Sequence, residues 1–174
     1  MSSLKSQPSK FNFTNGASIF MRINIKSEQK REGKKVIFDI KNSENNIGLT
    51  IGLDGRNNLL MWYSNSSNET FESNPISPEY FIDKFVSIIF TLNHEENNNS
   101  FVIHINKDFK KKTEFEGNLD EDVTVTQVIG ANVKGEFAAA FSIKEIGVYG
   151  KVLSDYDRNH LLAYLIGKTK AEKV

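Results

Sequence analysis

From Phe11 onward, apolar and polar residues alternate in short runs that end at Gly, Asn, Asp or Pro. Ile19, Met21, Ile23 and Ile25 alternate with Phe20, Arg22, Asn24 and Lys26, the period-two signature of a half-buried strand. A charged hairpin tip, residues 27–35, leads to a second strand at 36–40. Ile47, Leu49, Ile51 and Leu53 alternate again, and the turn DGRNN (54–58) folds them onto the strand LLMWY (59–63), with Gly55 expected to supply the turn's unusual dihedral. Residues 64–79 are long, polar and contain Pro75 and Pro78, so they are expected to be a loop on the rim of a binding face. Further strands follow at 85–92 and 101–106, joined by a polar tip at 93–99, with His104 facing outward. A short strand carries Phe115, and the last of the series lies within 120–130, pointing Val123, Val125 and Val128 inward.

The closing stretch predicts two elements. Phe137, Ala139, Phe141 and Ile143 alternate with smaller or polar neighbours, which reads as one strand running from 137 to 148. Its apolar phase moves from odd positions at Ile143 to even positions at Ile146 and Val148. A shift by one residue would turn the core face outward unless a bulge absorbs it, so a bulge is expected near Lys144 and Glu145. Ser154 then offers an N-cap, with Asp157 three residues on to favour the helix dipole. Leu161, Leu162, Leu165 and Ile166 form one apolar stripe, and Gly167–Lys168 suits a C-terminal end. A helix this short depends on tertiary support, which predicts that it docks on the strands.

Short antiparallel strands separated by turns, closed by one helix, predict an all-β, two-sheet jelly-roll sandwich with a short C-terminal helix. Residues 1–10 read as a polar arm and 11–174 as a single domain. The stretch from the IGA at 129 through IKEIGVY to KVLSDYDRNHLLAYL resembles the C-terminal end of the concanavalin A-like lectin/glucanase superfamily, above all its laminin-G-like and pentraxin-like jelly rolls. The resemblance implies a lectin-like module that binds glycan or polysaccharide without catalysis. It also leaves a second reading open, a structural or decoration protein of a larger assembly such as a phage or virus particle.

Charge and composition narrow the partners. The 22 basic and 22 acidic residues cancel, so no global field steers the chain to nucleic acid or an anionic membrane. No Cys is present, which removes disulfides and thiolate metal sites and fits cytosolic folding, with a virion surface as a later destination. The N-terminus lacks the apolar core of a signal peptide, and no apolar run approaches a membrane span. Glycan, as the resemblance implies, or other subunits of an assembly are the expected partners, with the chain oligomeric or assembly-bound.

Candidate chemistry is sparse. Glucanases of the resembling superfamily carry two glutamates and an aspartate at alternating positions of one strand, and no Glu-x-Asp-x-x-Glu pattern occurs here, so no catalytic residues are assigned. His94, His104 and His160 have no second ligand at metal-binding spacing. No cofactor is expected beyond calcium, which the resemblance implies because relatives often hold it in loops, and for which Asp54–Asn58 or Asp120, Glu121 and Asp122 offer oxygen donors. Sugar binding calls for an exposed aromatic ring beside amides or carboxylates. Trp62 and Leu60 share one face of their strand and Met61 and Tyr63 the other, so one aromatic of the pair is available. Trp62, Tyr63 and Tyr80 are the carbohydrate-binding candidates, with Phe71 as a further aromatic in the loop.

Overall fold

The computed structural model of the chain describes residues 3–96 and 98–171. In chain order the strands are β1 (Leu4–Lys5), β2 (Ser9–Phe11), β3 (Ala17–Ile25), β4 (Lys35–Lys41), β5 (Gly48–Leu53) and β6 (Leu59–Ser64). They continue as β7 (Thr70–Glu72), β8 (Phe85–Glu95), β9 (Asn98–Ile105), β10 (Phe109–Phe115), β11 (Val123–Ile129) and β12 (Phe141–Tyr149), followed by α1 (Asp155–Ala171). A large sheet has the order β1-β11-β4-β5-β6-β7, with β2 also on β11, and a smaller sheet the order β10-β9-β8-β3-β12. Every ladder between named strands is antiparallel. The chain is a β-sandwich.

Alternation explains the main core between the sheets. Ile19, Met21, Ile23 and Ile25 of β3 meet Leu49, Ile51, Met61 and Tyr63 of the opposite sheet, all fully buried. The expected bulge in β12 is present: the register against β3 slips between Ile143 and Glu145. Ile143, Ile146 and Val148 consequently all pack on the core. The polar arm lies along the edge of the large sheet, Leu4 opposite Ile129 and Ser9 opposite Val125.

Several local expectations give way to other forces. The strand expected from residue 137 begins at Phe141, because Val36 donates to the Phe137 carbonyl (2.6 Å) and Ala139 donates to the Val36 carbonyl (2.9 Å). Those bonds tie 137–139 to the start of β4 instead of to β3. In the β5–β6 turn the left-handed residue is Asn57 (φ 65°), not Gly55, and its side chain accepts a hydrogen bond from Lys35 Nζ (2.8 Å). The 64–79 segment is less open than expected: β7 pairs with β6, and Ile76 pairs with Leu59. The tip at 93–99 is short, since β8 runs to Glu95 and β9 starts at Asn98. Val128 sits on the outer face of the large sheet with Ala131 and Val133, not in the core.

Helix α1 begins as expected, the Asp157 amide donating to Ser154 Oγ (3.1 Å). It continues past Gly167 to Ala171. Leu162 and Leu165 are buried against the outer face of the small sheet, where α1 packs on β8. His104 does face out of the sandwich, yet it is buried, because α1 covers that part of the sheet.

Candidate functional site

The outer face of the large sheet carries a cleft of about 340 Å³ over β4, β5 and β6. Its floor follows from strand alternation. Phe38 and Ile40 point into the core, so Asp39 and Lys41 point out, and a register slip between Val36 and Phe38 turns Val36 to the same outer face. Thr50 of β5 and Trp62 and Ser64 of β6 share this face. Gly52 lies beneath the indole: a Cβ there would come within 2.9 Å of Trp62 Cη2 and 2.1 Å of the Lys35 carbonyl oxygen. The ring can settle on the sheet only because that position has no side chain.

Two connections supply the walls. After β11 the chain folds back over the sheet, where Asn132 Oδ1 accepts from the amides of Lys134 (3.0 Å) and Glu136 (2.8 Å) and fixes a tight turn. This turn places Asn132 and Phe137 on the cleft. Phe137 is 40 % exposed and adopts φ 62°, an uncommon conformation for a bulky side chain. The Arg31 guanidinium lies 4.1 Å above its ring. Opposite, Lys34 places its ammonium 5.0 Å from the centre of the Trp62 ring and pairs with Glu72, the cross-strand neighbour of Trp62. The charged tip at 27–35 is thus one lip of the cleft.

Asp39 anchors the floor. Thr50 Oγ1 donates to Asp39 Oδ1, and the Val133 amide donates to Oδ2 (2.9 Å), tying the overhanging turn to the sheet. Burial pushes the Asp39 carboxyl above its ordinary range, opposed by the Lys41 charge and by these hydrogen bonds. Burial likewise pulls Lys41 down, with Asp39 opposing. The cleft therefore joins an aromatic floor and wall to a carboxylate, two amides (Asn46 and Asn132), two hydroxyls (Thr50 and Ser64) and two ammonium groups. Such a mixed surface can stack on an apolar ring face and hydrogen-bond the hydroxyls around it.

The three aromatic candidates are not brought together. Trp62 lines the cleft, although only 8 % of its surface is exposed. Tyr63 points into the core, as alternation with Trp62 requires, and is fully buried. Its hydroxyl donates to Asp120 Oδ2 (2.6 Å) and accepts from the Asp120 amide (2.9 Å), and burial together with that carboxylate pushes its phenol up. Tyr80 lies in a 3₁₀ turn, Pro78–Tyr80, with its ring 4.3 Å from Phe109, away from the cleft-lining residues. Phe71 stacks on Phe115 at 4.8 Å between the layers.

Of the residues that line the cleft, only Trp62 is a binding candidate from sequence alone. Asp39 and Lys41 carry a readable sign, charges at alternate positions of an otherwise apolar strand. Phe137 carries the opposite sign, since its alternation with Ala139 and Phe141 points inward.

The carboxylates considered for calcium have other partners. Asp54 Oδ1 accepts from the amides of Arg56 and Asn58 (both 2.9 Å) and Oδ2 from Asn58 Nδ2 (3.0 Å), while Asp120 holds Tyr63 and the Ser66 amide. Among the described residues no three His, Asp or Glu side chains converge as metal ligands, and no helix is long and apolar enough to cross a membrane.

No protein family and no curated protein matches the sequence. Solved structures do. The receptor-binding domain of botulinum neurotoxin D is similar over 95 % of this chain and 44 % of its own, at 16 % identity and a TM-score of 0.68. The binding domain of botulinum neurotoxin serotype C1 matches over 88 % of this chain and 37 % of its own, at 17 % identity and TM-score 0.65. The serotype D ligand-binding domain in complex with N-acetylneuraminic acid matches over 93 % and 42 %, at 16 % identity and TM-score 0.63. These likenesses establish the fold. The chain spans about two fifths of the length of those binding domains.

Proposed function

We propose that this chain is a non-catalytic, lectin-like module of the concanavalin A-like kind, and that it holds a glycan in the cleft over β4, β5 and β6. The observation that carries the reading is the pairing of Trp62 and Phe137 with Asp39, Thr50, Asn46 and Asn132 around one cleft of ligand size. The structural relatives are binding domains, and one of them holds a sialic acid, which supports the same class of activity. Hydrolysis of a sugar bond needs two carboxyl groups flanking it. Asp39 is the only carboxylate among the residues lining the cleft, and both its oxygens already accept hydrogen bonds. This arrangement supports holding a ligand over cleaving it.

The test is a glycan array with the chain displayed multivalently, so that a weak single-site affinity is amplified, followed by calorimetry on the best ligand. Phe137→Ala is expected to weaken binding about tenfold, as loss of an aromatic contact worth more than ~1 kcal/mol implies. Tyr80→Ala is expected to leave it unchanged. An array without signal, or equal loss in both variants, overturns the reading.

A second reading, an interaction module within a larger assembly such as a virus or phage particle, draws on the solvent face of α1. Tyr156 (69 % exposed) and Tyr164 (54 %) stand two turns apart there, with the His160 ring tilted against Tyr156 at 3.9 Å. Aromatic side chains of this kind are enriched in protein interfaces. Stoichiometric incorporation into a particle that is lost in Tyr156→Ser/Tyr164→Ser, with glycan binding absent, would favour it.

A further inference from the structure

A second cavity, of about 410 Å³, lies on the opposite sheet, where the first turns of α1 pass over the β9–β10 hairpin. Strand pairing builds one side. His104 of β9 and Lys110 of β10 are direct cross-strand partners, so their side chains leave the same face. Lys107 and Asp108 come from the turn between the two strands, and Arg158 and Asn159 come from α1. In a chain whose formal charges cancel, three basic side chains thus line one cavity with a single carboxylate.

The buried groups are not satisfied internally. His104 is 8 % exposed, and its Nδ1 has no hydrogen-bond partner. Arg158 gives Nη1 to Asp155 Oδ1 (2.9 Å), but its Nε is buried without a partner. Native proteins seldom leave such groups orphaned, since each costs about 1–3 kcal/mol. The imidazole registers the local field: burial first, then the charges of Arg158 and Lys110, pull its pKa down to about 4, with Asp155 opposing.

We propose that His104, Lys107, Lys110 and Arg158 form an anion site, separate from the glycan cleft, that takes a compact oxyanion of the sulfate or phosphate class. The guanidinium and the two ammonium groups supply charge-assisted donors around one position, the arrangement such anions select. His104 is buried and Arg158 half-buried at the helix–sheet junction, so the guanidinium's charge is screened less there than on open surface, with the exposed Lys107 and Lys110 at the rim. The anion would also relieve the crowding of positive charge beneath the start of α1.

The test uses the whole chain, with inorganic sulfate and inorganic phosphate as probes and chloride at matched ionic strength as control. Histidine NMR of the wild type is expected to show a saturable change at His104 and an upward shift of its pKa, with sulfate or phosphate and not with chloride. The exposed Lys110→Gln variant, which leaves the fold intact, is expected to bind about tenfold more weakly, the loss of one charge-assisted contact. Arg158→Gln is expected to bind at least as poorly. A response equal in chloride means plain screening and overturns the proposal, as does a saturable response that Lys110→Gln leaves unchanged. Neither outcome bears on glycan binding, which uses none of these residues.

Discussion

Phe137 holds a backbone conformation that costs an ordinary side chain about 1–2 kcal/mol, and it spends that cost displaying an aromatic ring beside the cleft. Glycine would adopt φ 62° freely. In Phe137→Gly the relief of strain should therefore offset the lost stacking on Arg31 and the greater freedom of the unfolded chain, each worth about 0.5–1 kcal/mol. Denaturant unfolding is expected to find the variant within about 0.5 kcal/mol of wild type, while glycan affinity falls as for Phe137→Ala. Tyr63 makes the converse case. Tyr63→Phe leaves the Asp120 amide without its acceptor, at a cost of about 1–3 kcal/mol in the same measurement, and the array pattern should not change. A residue built for the interior and one built for display thus separate by which assay responds.

At the scale of elements, α1 and the hairpin beneath it carry a pH dependence. His104 has a folded pKa near 4 against about 6.5 in an open chain, with Arg158 and Asp155 of α1 and Lys110 of β10 around it. Between those values the unfolded chain takes up a proton that the folded chain refuses. Stability conferred by the neutral ring is thus complete above about pH 6.5 and declines as pH falls toward 4. Unfolding experiments across this window are expected to show a loss of roughly 2 kcal/mol, allowing for solvent screening, and His104→Gln should flatten it. Elements with strong periodicity were legible: the β12 bulge follows from the phase change between Ile143 and Ile146, and the start of α1 from Ser154. What misled was competition for backbone and side-chain partners. Phe137 and Ala139 keep strand alternation, but their backbone groups pair with Val36, a partner a hundred residues away that no local pattern encodes. Similarly, Asn57 rather than Gly55 turns left-handed, because its side chain there meets the buried Lys35 ammonium.

For the molecule as a whole, the sandwich could be read from alternation because burial on one face imposes a period of two on nearly every strand. The site could not be read the same way. Trp62 was singled out, but its surroundings come from the 27–35 tip, the turn after β11 and three strands, which only the folded sheet brings together. Tyr63 and Tyr80 share its chemistry and its neighbourhood in sequence, yet one is locked in the core and the other sits elsewhere on the surface. The same architecture keeps the two candidate sites apart, with the aromatic cleft on the outside of the large sheet and the cationic cavity on the outside of the small one. Because Trp62 is the only tryptophan of the chain, its fluorescence reports on a single locality. A sugar entering the cleft should perturb that emission directly, with no label attached, whereas sulfate filling the far cavity should leave it dark to the event. The protein carries its own optical gauge for telling the two occupancies apart.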